Sequence, residues 1–251
     1  MTGGAFVWDD IWRTLAALPA LGTVLLVPGF FVGHMLDVGG FRRLRPGSRF
    51  AQCVLLSLAT VPIASYVAWR AAGFGAVMTM LVVVWAAALG ILLRDLIRSR
   101  SVAISEGLRL PRGVLIAAVL WVLAALWYMA DFGWGPRLFP AMLMDNLKHI
   151  AVTDAISRTG IPPANPFVFP GEPFQLSYYY FWHLVIAIPT RLFGDLITPR
   201  AATFAGTIWC GVILASAAIV WVRDAGGGGA GAKRVAGIAP VSYTHLRAHE
   251  T

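Results

Sequence analysis

Apolar residues fall along this chain in long unbroken runs separated by short polar clusters, without the two-residue alternation of a half-exposed strand or the narrow stripe of a soluble amphipathic helix. Six runs stand out, at roughly 14 to 36, 51 to 69, 74 to 93, 113 to 130, 177 to 194 and 201 to 222. A membrane-crossing helix needs about 20 predominantly apolar residues, and each run is close to that length. The pattern predicts an all-α, polytopic transmembrane helical bundle of about six spans. Four spans lie in 1–130, a long external loop with an interfacial helix occupies 131–176, and two spans lie in 177–222. The Gly226 to Gly229 run with Gly231 reads as a linker over 223–240.

Composition agrees. Of 251 residues, 58% are apolar and 13% charged, and the mean hydropathy is +0.72, whereas a soluble domain carries about 25% charged residues. A net charge of +8 would suggest nucleic-acid binding in a soluble protein. Here the basic residues cluster between apolar runs, where the positive-inside rule puts them, so the charge reads as topology and no nucleic-acid partner is expected. With the N-terminus outside, Arg42, Arg43, Arg45, Arg49, Arg94, Arg98, Arg100, Arg109, Arg112, Arg191 and Arg200 lie on one side. Arg13, Arg70, Arg137, Lys148, Arg158, Arg223, Lys233 and Arg234 lie on the other. Eleven against eight makes the long loop extracytoplasmic in a plasma (inner) membrane, and leaves the three basic residues after 222 on the unexpected side. Cys53 and Cys210 lie inside apolar runs without a Cys or His at metal spacing, and read as packing residues.

The segment Val241 to Thr251, VSYTHLRAHET, changes character abruptly. It reads as the conceptual translation of a transposase adapter used in sequencing libraries, so His245 and His249 are set aside and the natural sequence is expected to be a fragment whose continuation is lost near Pro240.

The 131–176 loop is dense in polar and special residues, and a long structured loop on a rigid scaffold is where function concentrates. Residues from about Ala141 to Thr159 read as a helix at the interface, stopped by Gly160 and Pro162-Pro163. Asp145 and His149 are i and i+4 and share a face, whereas Asp154 lies half a turn away. Asp145 is the candidate catalytic acid–base group with His149 beside it; the plainer alternative makes Asp145 a helix cap and His149 a solvated interface residue. Prolines 162, 163, 166, 170 and 173 then predict an extended, stiff segment across the membrane surface. It ends in SYYYFWH, Ser177 to His183. Three consecutive tyrosines on a helix cannot share one direction, so Tyr179 or Tyr180 paired with His183 is expected to face inward, while Trp182 suits an aromatic belt.

The run MDNLKHIAVTDAISRTGIPPANPFVFPGEPFQLSYYYFWHLVIAIP, Met144 to Pro189, resembles the signature region of the YYY-type membrane proteins, which are similar to the GT-C superfamily of multispanning glycosyltransferases that includes protein mannosyltransferases and aminoarabinose transferases. The resemblance implies transfer of a sugar from a polyprenyl-phosphate donor held in membrane lipid to an extracytoplasmic acceptor. Asp145 would be the catalytic base. Lys148, Arg137 or Arg158 would stabilise the departing phosphate, with His149, Tyr178, Tyr179, Tyr180 and His183 around the sugar and phosphate. Asp145-Asn146 stands where the commoner pattern has two adjacent acids, so a divalent metal is an open cofactor. The rival reading is a non-catalytic transporter or cell-envelope assembly component with the loop as gate or partner surface. Transporters place ionisable groups at mid-bilayer, whereas Arg70, His34 and Arg191 all lie near run ends. A structural membrane protein whose loop merely packs is the third reading.

Overall fold

The computed structural model describes residues 3–98, 112–129, 143–168, 174–177 and 179–225. Helices α1 (Gly3–Leu36), α2 (Pro46–Arg98), α3 (Arg112–Met129), α4 (Leu143–Thr159), α5 (Phe181–Phe193) and α6 (Pro199–Ala225) follow in order. Among the described residues there is no strand beyond an isolated antiparallel bridge between Ala164 and Gln175. Three helical stretches are long and apolar enough to cross a membrane: Ile11–Leu36, Pro46–Asp95 and Pro199–Trp221. The protein is therefore an all-helical, membrane-associated chain.

α2 is two legs. Ala72 (φ −148°, ψ 24°) and Gly73 (φ 75°, ψ −173°) break its helical conformation, and the positive φ at Gly73 is one that glycine adopts without a Cβ penalty. A straight helix from Pro46 to Arg94 would separate its ends by about 70 Å. Instead the Arg94 guanidinium lies 3.2 Å from the His34 ring, and Arg42 donates to the His34 carbonyl at 2.8 Å. The second leg has come back to the end where the first began, as the separate runs at 51–69 and 74–93 anticipate.

α1 and α2 pack at backbone distance. Pro28 interrupts the hydrogen-bond ladder of α1, and the N–H of Gly29 donates instead to Ser57 Oγ of α2 at 2.6 Å. α6 lies on α1 through Trp209, whose indole N–H donates to the Leu18 carbonyl at 3.0 Å. α3 docks on α6 in the same manner, with Trp121 donating to the Ile208 carbonyl at 3.0 Å.

The run at 177–194 is shorter as a helix than the sequence reading expects. It forms the 13-residue α5, about 20 Å long, and is not among the three stretches long and apolar enough to cross a membrane. Its two ends meet one corner of α2: Tyr66 packs on Tyr180 and Phe181 at the start, and the Arg191 guanidinium lies over Trp69 and Phe74 at the finish. Every residue from His183 to Thr190 is buried, because α1, α2, α4 and α6 all pack against this helix. Arg191 consequently sits beside the α2 break and α4, not with the arginine cluster of residues 42–49. The proline-rich segment also differs from a stiff extended strip. It folds back on itself, with Asn165 N–H donating to the Phe174 carbonyl and Leu176 N–H to the Pro163 carbonyl, both at 2.9 Å. The Gly-rich 226–240 segment and residues 241–251 lie outside the described residues.

Candidate functional site

In α4, the spacing of Val152, Thr153 and Ile156 gives one buried face, and α4 uses it to pack on α5 and α6. Gly160, at φ 85°, ends the helix as the sequence predicts, its N–H donating to the Ile156 carbonyl at 3.0 Å. The last turn is further held from α5, because the Arg191 guanidinium donates to the Ser157 carbonyl. A cation at a helix C-terminus also meets the negative end of the helix dipole.

His149 and Thr153 stand one turn apart on the face of α4 that meets α5, where His183 is only 4% exposed. His149 Nδ1 lies 3.2 Å from His183 Nε2, and Thr153 Oγ1 lies 3.2 Å from His183 Nδ1. The two imidazoles are near-parallel, 23° apart with centroids at 5.1 Å. Burial, reinforced by the neighbouring His149 and Lys148, lowers the His183 pKa to about 4. His183 is thus a neutral imidazole near neutral pH, bonded through both nitrogens. Asp145 falls one turn before His149 on the backbone of α4, and its side chain lies outside the described residues.

Tyr180 belongs to a second cluster. Its hydroxyl is hydrogen-bonded with Tyr66, and its pKa is raised, first by burial and then by Tyr66, against the opposing charge of Arg70. It is a protonated phenol in the physiological range.

Of the residues expected at the site, the structure brings His149 and His183 into contact and sets Lys148 close enough to act on His183. Tyr180 faces inward as its pairing with His183 anticipates, but toward Tyr66; Tyr179 is 77% exposed. Arg158 is turned outward and pairs with Asp154, nine positions from His149 and so on the opposite side of α4. Arg137 and Tyr178 lie outside the described residues. Among the described residues, no group of three or more His, Cys, Asp or Glu could hold a metal ion. Thr153, Tyr66 and Arg191 are the participants that sequence reasoning missed as site residues. Thr153 was within reach, lying four positions after His149.

No family model matches the chain. No solved structure matches it. An uncharacterized protein, y4nK, of Sinorhizobium fredii (strain NBRC 101917 / NGR234) is 44% identical over 53 residues, which cover 21% of this chain and 8% of that relative. The chain thus spans a small part of the relative's length, and that protein's printed name carries no activity. The residues and their geometry remain the basis for assigning chemistry.

Proposed function

We propose that this chain contributes the loop-side catalytic region of a GT-C-like membrane glycosyltransferase, which moves a sugar from a polyprenyl-phosphate donor to an extracytoplasmic acceptor. The carrying observation is the contact of half-buried His149 with buried His183, held between α4 and α5 one turn from the Asp145 position. Asp145 takes the acceptor hydroxyl's proton as that oxygen attacks the anomeric carbon, a role that needs approach to about 3 Å. Lys148 offers positive charge to the phosphate that leaves. The described spans favour this reading over a transporter, because their charged residues lie at helix ends or at the α2 break: Arg13, His34, Arg49, Arg70, Arg94, Asp95 and Arg200.

In this reading the membrane is crossed five times, by α1, each leg of α2, α3 and α6, while α4 and α5 stay together on the loop side. Arg191 and Arg200 move to that side, and Arg223, Lys233 and Arg234 move to the arginine-rich side, so the basic balance sharpens to twelve against seven. The local violation after residue 222 disappears.

The test is Asp145→Asn in the complete gene, assayed for sugar transfer from a polyprenyl-phosphate donor in membranes. Transfer should be abolished while membrane insertion persists; undiminished transfer would sink the assignment.

A further inference from the structure

Between residues 51 and 70, in the first leg of α2, the exposed residues are Ala59, Ile63, Val67 and Arg70. Spacings of four, four and three place them in one row along the helix, about 16 Å from end to end. Ala64, Tyr66 and Ala68 beside the row are half-buried, so it is one residue wide. It belongs to a stretch long and apolar enough to cross a membrane, and hydrocarbon is the natural cover for its apolar part. The last member is a charge. Arg70 stands three residues before the Gly73 break, and among the described residues it has no acidic partner. An arginine closing an apolar row carries its head to the polar edge of the membrane, where its planar fork of N–H groups matches phosphate oxygens.

Two phenols stand beside this cation. Tyr66 lies one turn before Arg70, its ring 6.5 Å from that of Tyr180, and the charge of Arg70 acts on Tyr180. The two hydroxyls hold two hydrogens, and the bond between them uses one. The other is left to donate to a third group. Phe181, exposed and set edge-on to Tyr66 at 5.5 Å, flanks the row on this side. A guanidinium and a phenolic hydrogen thus meet at the end of an apolar track wide enough for one hydrocarbon chain, and too narrow for the two chains of a diacyl phospholipid.

We propose that one single-chain lipid phosphate binds here, its phosphate held by Arg70 and the Tyr66–Tyr180 pair and its chain laid along Val67 and Ile63. Tyr180 directly precedes α5 and is three residues, about 4.5 Å of helix rise, from His183. The headgroup therefore docks beside the α4–α5 contact. That this lipid is the sugar carrier rests on the transferase reading, whereas the binding of a lipid phosphate does not.

In the experiment the full chain in dodecyl maltoside micelles is titrated with farnesyl phosphate, and native mass spectrometry counts the bound copies. The expected result is one saturable copy. Arg70→Gln should weaken it about tenfold or more, and Tyr66→Phe combined with Tyr180→Phe about three- to tenfold. Val67→Trp, which fills the track with an indole, should weaken it as well. Arg43→Gln, which removes an exposed arginine near the other end of this leg, should leave it unchanged. Equal amounts of inorganic phosphate or dioleoyl phosphatidylglycerol should not displace the bound lipid. Displacement by the first would reveal a site for phosphate alone, and by the second a site for bulk lipid; either overturns the proposal. So would no saturable copy, binding unaffected by Arg70→Gln, or an equal loss in Arg43→Gln. Arg70 and Val67 are exposed, so their variants read binding and not folding, and they decide alone if the double tyrosine variant does not fold. Binding is measured without turnover, so an active Asp145→Asn enzyme would sink the transferase reading and leave this site standing, and failure of the site leaves that test standing.

Discussion

Gly29→Ala tests the tightest glycine contact between helices among the described residues. A Cβ on Gly29 would lie 1.8 Å from the Cys53 carbonyl oxygen, 2.7 Å from its carbon and 2.8 Å from the Ser57 nitrogen. Carbon and carbonyl oxygen settle at about 3.3 Å or more, so α1 and α2 must part by roughly 1.5 Å along this line. Backbone atoms on both sides leave no flexible side chain to yield. Overpacking of this kind costs about 1–3 kcal/mol. The separation also breaks the buried Gly29 N–H···Ser57 Oγ bond of 2.6 Å, worth about 1 kcal/mol more. The expected loss of about 3 kcal/mol lowers the folding equilibrium constant roughly a hundredfold. Titration of purified protein from dodecyl maltoside into sodium dodecyl sulfate, followed by fluorescence of its 10 tryptophans, measures it. Gly90→Ala in α2 is the control: its Cβ meets nothing within 4 Å, and helix propensity alone predicts a gain of up to about 1 kcal/mol. If Gly29→Ala unfolds within about 0.5 kcal/mol of the wild type, the close approach of these helices is wrong.

Three further outcomes are expected. His183 titrates near pH 4 in the folded protein against 6.5 for the free side chain, so the unfolded chain binds that proton first. Its contribution to stability is complete above about pH 6.5 and is lost toward pH 4, by about 3 kcal/mol in all, and His183→Gln should flatten that part of the stability–pH curve in the same unfolding assay. Arg191→Ala removes the donor to the Ser157 carbonyl and the cation over Trp69 and Phe74. Hydrogen exchange should then rise in the last turn of α4, with a loss of about 1 kcal/mol, and unchanged protection there would refute the capping role. In a background without Cys53 and Cys210, Asp195→Cys should react with a membrane-impermeant maleimide from the same side as Asn165→Cys, and Arg223→Cys from the other. Labelling of positions 165 and 195 from opposite sides would restore α5 as a crossing.

Much of this architecture is written in residue order. The break after residue 70, the helix ending before Gly160 and the apolar length of α1 and α6 follow from glycine, proline and hydropathy alone. The fate of residues 177–194 does not, because hydropathy reports exclusion from water and is silent on whether lipid or protein does the excluding. A short helix surrounded by four others has the hydropathy of a span, and only the structure shows that its helical length is 13 residues and that its neighbours cover it. The site was legible in half. His149 stands out by its i+4 spacing from Asp145 and His183 as an ionisable group at the start of an apolar run, but their contact joins segments 34 positions apart, which no local period encodes. Thr153 carries no charge and interrupts no pattern, so its importance emerges only from where its hydroxyl turns.

The enclosure of α5 also sets an order of assembly. Thirteen residues are too few to be held across lipid by their own apolarity, which requires at least about 17, so α5 gains its surroundings only after α6 has been synthesised and has closed on α1 and α2. The bilayer can accept the long helices one at a time, whereas the imidazole pair exists only when α4 and α5 have been seated among them. Mutations that loosen helix packing should therefore yield protein that is inserted yet lacks the His149–His183 contact, and a quality-control protease would meet the exposed α4–α5 segment first.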